Sequence, residues 1–296
     1  MKPVDFTLHR PDTLDEAVAI LAEHRDEAKV LAGGQSLVPL LNFRLARPEH
    51  LVDLSRIASL TRLVRTRSGL AVGAMVRQAQ AERSAAVAGS APLLAAAFPH
   101  IAHQAIRARG TVGGSLAHAD PAAELPAVAV ASDARFTAVG PSGRREIAAA
   151  DFFLGNLMTA LAPDEVLTEV VFSGAPERSG AAVEEVGRRR GDFALVCAGA
   201  QVSLEPGAAG VVREARVCLA GVAATPYRAA EAERVLAGAR LDDAVLAQAA
   251  DAVRDAIDPN GDLHATAGYR KDVAGVLVKR AVAAAHRNAH AAAAAA

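Results

Sequence analysis

The 296-residue chain has two cysteines, two tyrosines, no tryptophan and no surplus of either charge, with 32 basic residues against 33 acidic ones. Each scarcity removes a class of function. Two thiols cannot ligate an iron–sulfur cluster, which takes about four. Cys197 and Cys218 lie in apolar, strand-like runs and read as buried structural thiols rather than a redox pair. A nucleic-acid protein carries a basic stripe and stacking aromatics, and aromatics make up only 3% here. No run approaches the roughly 18 apolar residues of a membrane span. The start, Met1-Lys2-Pro3-Val4-Asp5-Phe6, lacks the apolar core of a signal peptide. A soluble, cytoplasmic protein is expected.

Several catalytic motifs are missing too. There is no G-x-G-x-x-G and no G-x-x-x-x-G-K-[ST], so nicotinamide and nucleoside-triphosphate fingerprints are unmatched. No H-E-x-x-H occurs. No G-x-S-x-G elbow exists, because Gly34-Gln35-Ser36-Leu37 and Gly114-Ser115-Leu116 both lack the closing glycine. Among nine histidines, His100 and His103 are spaced to share a helix face, but no third ligand stands at a known spacing. Neither a metal site nor a catalytic side chain is expected.

What the chain does have is a pair of glycine motifs. Leu31-Ala32-Gly33-Gly34-Gln35-Ser36-Leu37 follows a short strand-like run, Lys29–Ala32, and precedes a helix over Leu37–Leu41 with Ser36 as its expected cap. Thr111-Val112-Gly113-Gly114-Ser115 runs on through Leu116-Ala117-His118-Ala119 to Asp120-Pro121, which reads as a helix start with Asp120 as N-cap. Glycines let backbone approach a ligand, and consecutive N–H groups converge on an anion. Either stretch alone reads equally well as a tight turn before a buried helix. Together they suit the two ends of one long phosphate-bearing ligand, with the hydroxyls of Ser36, Thr111 and Ser115 as neutral donors.

AGGQS followed by TVGGSLAHADPAAELP resembles the flavin-binding medium subunit of the molybdenum hydroxylases, the xanthine dehydrogenase and carbon monoxide dehydrogenase family. The resemblance runs from Pro3 to the helix after Tyr269. It implies that FAD is held by Ala32, Gly33, Gly34, Gln35, Ser36, Leu37, Thr111, Gly113, Gly114 and Ser115. Glu124, with Asp120 as the other candidate, falls where the family contacts the ribose or adenine end. Leu167 falls where relatives pack an aliphatic side chain on the flavin, and reads equally as strand core. Arg188-Arg189-Arg190-Gly191-Asp192-Phe193-Ala194 matches a stretch that lies near the flavin ring in relatives, although three arginines are most often a solvated face. Asp192 is expected to pair with an arginine and fix that turn. Many relatives carry an aromatic and a lysine just upstream, where this chain has Val183 and Glu185. A carboxylate there would disfavour an anionic reduced flavin. The segment Gly261–Arg270 also matches, and reads first as a helix start capped by Asp262 or Thr266.

The resemblance implies a large molybdenum-binding partner and a small iron–sulfur partner, so the molybdenum cofactor and the iron–sulfur clusters belong to other chains. Electrons would pass from those clusters through FAD to an acceptor. The alternatives are a stand-alone FAD oxidoreductase and a flavin-free assembly subunit.

The expected fold is α+β: a two-subdomain FAD-binding region over 1–175 (about 1–58 and 59–175) and a smaller α+β C-terminal domain over 180–290. Residues 291–296 are a low-complexity tail. Thr13-Leu14-Asp15-Glu16 is a capping box opening a first helix. Strands are expected at 51–54, 63–65, 70–73, 135–139, 165–172, 195–204 and 211–222. Helices are expected over 78–103, broken at Pro92 and Pro99, and over 122–131, 242–257 and 269–290, with a linker at 173–180.

Overall fold

The computed structural model describes residues 2–207 and 210–295. The chain opens with β1 (Thr7–His9), α1 (Leu14–His24), β2 (Ala28–Leu31), α2 (Leu37–Asn42) and β3 (His50–Asp53). The strands form a parallel sheet in the order β1-β3-β2. Parallel neighbours need crossover connections, and α1 and α2 supply helical segments between them. The capping box forms: Thr13 Oγ1 accepts from Glu16 N–H at 3.2 Å, and Glu16 accepts from Thr13 N–H at 3.4 Å. Ala17, Val18 and Leu21, one helical face, bury against Val52 and Leu54.

A second sheet follows. Its strands are β4 (Leu63–Thr66), β5 (Gly69–Gly73), β6 (Arg135–Gly140), β7 (Gly143–Ala148) and β10 (Val166–Ser173), in the antiparallel order β4-β5-β10-β6-β7. Six helices stand between β5 and β6: α3 (Gln78–Glu82), α4 (Ala85–Ser90), α5 (Pro92–Ala97), α6 (Gln104–Arg107), α7 (Val112–His118) and α8 (Glu124–Ala131). The expected long helix is divided where proline predicts it. Pro92 takes the first turn of α5, where no N–H is needed, and Pro99 sits in a 3-10 turn. After β7 come α9 (Ala149–Phe152) and the small hairpin of β8 (Phe153–Gly155) and β9 (Met158–Thr159). Phe136 and Phe152 stack at 3.9 Å in the core beneath.

The C-terminal sheet is β11 (Ser179–Val186), β12 (Val196–Leu204), β13 (Val212–Ala220) and β14 (Tyr227–Arg228), antiparallel and in sequence order. It is followed by α10 (Ala230–Leu236), α11 (Asp243–Ala256) and α12 (Ala267–Ala295). β11 is absent from the sequence reading, and the linker shrinks to residues 174–178. β12 is buried at all nine positions because the sheet is covered on both faces. Val196, Ala198, Ala200, Val202 and Leu204 face the helices of their own domain, while Cys197 faces the core of the FAD-binding region.

One further expectation changes and another is met. Of the tail expected at 291–296, residues 291–295 continue α12 to its end, and residue 296 lies outside the described residues. Thr266 caps that helix, accepting from Tyr269 N–H at 3.2 Å, while Asp262 accepts from His264 and Ala265 N–H and pairs with the buried Arg270. No described helix is long and apolar enough to cross a membrane.

Candidate functional site

The first glycine motif leaves the C-terminal end of β2 and runs into α2. Gly34 holds φ at +73°, a conformation that side chains with a Cβ rarely adopt. Val38 N–H donates to Gly34 O at 3.0 Å and the Gln35 amide donates to Gly33 O at 3.0 Å, so the turn is tied by its carbonyls. Among the described residues, the N–H groups of Gly33, Gly34, Gln35 and Ser36 meet no acceptor. A run of free donors on a tight turn is an anion cradle. Ser36 sits at the N-cap of α2, but its hydroxyl makes no capping bond, contrary to the expectation, so it too stays available to a ligand. Ala32 and Leu37 flank the turn, both half-buried.

The second motif is built differently from its sequence reading. Thr111–Ser115 is not a loop. Thr111 is the N-cap of α7, with Oγ1 accepting from Gly114 N–H at 3.0 Å, and the two glycines lie in the first helical turn. Gly113 N–H donates to Ala74 O at 2.9 Å and Ser115 N–H to Thr111 O at 3.2 Å. These donors are spent within the protein, which corrects the expectation that they bind pyrophosphate. The glycines serve close packing instead. A Cβ on Gly113 would stand 2.4 Å from that of Ala74, and one on Gly114 would stand 3.2 Å from that of Ala32. What α7 leaves open for a ligand is the half-buried Ser115 side chain.

The same packing joins the two motifs. Ala32 rests against Gly114, and Gly33 rests on the backbone of Arg109 and Gly110, where an added Cβ would approach Arg109 O to 2.5 Å. Arg109, Gly110 and Ala74 escape sequence reasoning because their part is set by contacts across the fold. Gly110, directly before Thr111, is the one local signal.

Asp120 does not cap a helix. It accepts from Ala122 N–H at 2.9 Å in a local turn, and α8 starts at Glu124 with Ala123 as its cap. Glu124 is only 8% exposed and faces Glu185 of β11. Burial raises both carboxyls, Glu124 to about 7 and Glu185 to about 8, with Glu124's charge adding to the rise at Glu185. Glu185 Oε2 has no partner among the described residues. Two facing acids cannot both ionise cheaply, so burial and the charge of Glu124 both oppose the charge expected at Glu185.

Asp192 does pair with an arginine: its carboxylate lies 3.7 Å from Arg188. Gly191 holds φ at +86° and packs on the ring of His103 just ahead of α6, which brings the arginine turn to the FAD-binding region. Leu167 is buried in the main core, at a bulge in the pairing of β10 with β6. His100 and His103 share no helix face, since one closes a 3-10 turn and the other precedes α6.

Comparison with known proteins identifies the family. Residues 4–172 match the family model described as the FAD binding domain in molybdopterin dehydrogenase, and residues 181–285 match the CO dehydrogenase flavoprotein C-terminal domain. The chain is 40% identical to the alpha subunit of the 6-hydroxypseudooxynicotine dehydrogenase complex of Paenarthrobacter nicotinovorans, over 96% of this chain and 95% of that one. It is 38% identical to the carbon monoxide dehydrogenase medium chain of Hydrogenophaga pseudoflava, over 95% and 97%. The solved structure of carbon monoxide dehydrogenase from that organism, in a form lacking the Mo-pyranopterin moiety, superposes with a TM-score of 0.93 at 38% identity, covering 97% of this chain and 99% of that one.

Proposed function

Because the chain belongs to the FAD-binding medium subunits of the molybdenum hydroxylases, we propose that it carries electrons between subunits. They enter from iron–sulfur centres on a small partner, are supplied by a large molybdenum-binding partner, and leave through FAD to an acceptor. The observation that carries this reading is the seating of Ala32 and Gly33 against Gly114 and Arg109–Gly110, which brings two distant motifs side by side. The free N–H groups of Gly33–Ser36 and the side chain of Ser115 hold the cofactor's phosphates. Thr111, Gly113 and Gly114 keep α7 close, and Leu37, Asp120, Glu124, Leu167 and Asp192 complete the surround.

Bound there, FAD supplies the redox chemistry. The chain's own residues bind it, orient it and set the charge about it, and none acts as nucleophile or general base. With two buried thiols in the chain, the iron–sulfur centres belong to a partner. We assign residues 1–175 to the FAD-binding region and 180–290 to the C-terminal domain, and place the protein in the cytoplasm, where free thiols persist.

The test is the visible spectrum of the purified chain and of its co-expressed complex, with the chromophore released by heat and identified. About one FAD per chain is expected in the complex. A complex that assembles without flavin overturns the reading.

A further inference from the structure

The first sheet gathers three histidines that lie far apart in sequence. His9 ends β1, His24 ends α1 and His50 opens β3. His9 Nε2 lies 3.0 Å from His50 Nδ1, and the rings of His24 and His50 stack with centroids 3.6 Å apart. One nitrogen from each residue falls within 4.8 Å of the others, and all three side chains are half-exposed, open to an ion from solvent. Each stands at the end of a regular element, so no flexible loop is needed to assemble them. Arg25, directly after His24, is held at φ +43°, which non-glycine residues avoid, and its guanidinium is tied to Asp164 at 3.1 Å. This turn stops α1 where His24 meets the sheet. The carboxylate of Glu23 lies 4.0 Å from His24 Nε2.

We propose that His9, His24 and His50 form a divalent-metal site of the zinc class, with Glu23 or water in the fourth position. Three imidazoles with one oxygen ligand suit Zn²⁺, a borderline-soft ion that takes tetrahedral nitrogen and oxygen sets. Zn–N bonds of about 2.0–2.1 Å place ligand nitrogens a little over 3 Å apart. Side-chain rotation of His24 off its stack is the adjustment required. The site lies at the far end of the sheet from the flavin turn: His50 pairs with Ala28, the first residue of β2, while the turn follows Leu31, its last. The metal therefore clips β1, α1 and β3 together and takes no part in the electron path.

The experiment is a titration of the full-length chain, stripped with chelator, with Co²⁺ and then Zn²⁺. One equivalent of Co²⁺ should give the intense visible d–d bands of a tetrahedral site, Zn²⁺ should bleach them, and either metal should raise the melting temperature. His24→Ala and His50→Gln should each lose the bands while keeping native circular dichroism. His286→Ala, at the separate His286–His290 contact, should keep them. A wild-type chain that gives no such bands overturns the proposal without recourse to any variant. Bands that survive both His24→Ala and His50→Gln overturn it equally.

Discussion

Gly34 and Gly33 are neighbours that need to be glycine for different reasons, and their substitutions separate those reasons. At Gly34 the φ of +73° is the constraint, and a left-handed backbone costs a residue with a Cβ about 1–2 kcal/mol. Gly34→Ala should lower the melting temperature modestly and weaken FAD retention by tilting the free N–H groups. At Gly33 the constraint is the Arg109 carbonyl, 2.5 Å from where a Cβ would go. Overpacking of that kind costs about 1–3 kcal/mol, and it pushes the two motifs apart. Gly33→Ala should therefore release more flavin than Gly34→Ala, read as the FAD-to-protein absorbance ratio after gel filtration. Equal ratios would mean that the contact between motifs does not position the site. The first turn was legible in the sequence because the need for glycine at Gly34 is local, whereas the roles of Gly33, Gly113 and Gly114 are set by contacts across the fold. The meeting of Glu124 with Glu185 was not legible, since it joins α8 to a strand that sequence patterning did not reveal. Ser179-Gly180-Ala181-Ala182 carries little apolar contrast from one residue to the next, so β11 lacks the alternation that betrays a strand. The acid pair has a pH signature. Its folded values, about 7 and about 8, lie above the ordinary 4.5, so the folded chain binds more protons than the unfolded one between those limits. Its contribution to stability is complete below about 4.5 and is lost as pH rises through 7 to 8. Replacing Glu185 with Gln should flatten this decline in melting temperature. An unchanged pH profile would show that the two carboxyls do not share a proton.

Helix α7 shows how an element can hide behind its own residues. Two consecutive glycines lower helix propensity by about 1 kcal/mol each relative to alanine, and the sequence there reads as a turn. The helix forms because a Cβ at Gly113 would strike Ala74, so only glycine lets the helix sit that close, and because Thr111 caps it. Thr111→Ala removes a cap that is only 2% exposed and leaves Gly114 N–H without its acceptor. A loss of about 1 kcal/mol is expected, recovered in Thr111→Ser, and chemical denaturation measures both. Helix α12 errs in the other direction: alanine repetition made residues 291–295 look structureless, whereas alanine is the strongest helix former. What anchors that end of the helix is Gly180 of β11, where a Cβ would come within 2.2 Å of Ala289 N. Ending the chain after His290 should leave the melting temperature nearly unchanged. Ending it after Ala284 removes the fully buried Ala285 and Ala289 and uncovers β11, and that truncation should be markedly less stable or insoluble.

At the scale of the whole chain, the C-terminal domain has a core of its own between its sheet and its helices, yet the other face of that sheet closes the core of the flavin region. Val183, Cys197, Cys218 and Ala220 of the C-terminal sheet, with Ala194 just ahead of β12, belong to the same buried cluster as Leu94, Leu125 and Phe136 of the FAD-binding region. Polar ties cross the seam as well: Asp133 holds both Arg216 and Arg228, and Gly221 N–H donates to Pro121 O at 2.8 Å. Neither part can leave the other without exposing apolar surface, at roughly 25 cal/mol per Å². The two parts should accordingly unfold in a single calorimetric transition, unlike chains whose domains share no buried cluster. The cysteines report on this directly. Both are buried in the structure, and burial raises both thiols, Cys218 to about 12, so neither is exposed or ionised in the folded chain. A thiol reagent such as DTNB should leave the native chain untouched. In mild denaturant the thiols should react at the rate at which flavin fluorescence is released, because opening the seam and dismantling the site are one event. Thiol reaction that runs ahead of flavin release would show the C-terminal sheet detaching by itself, and the shared core would then be too weak to bind the two parts into one unit.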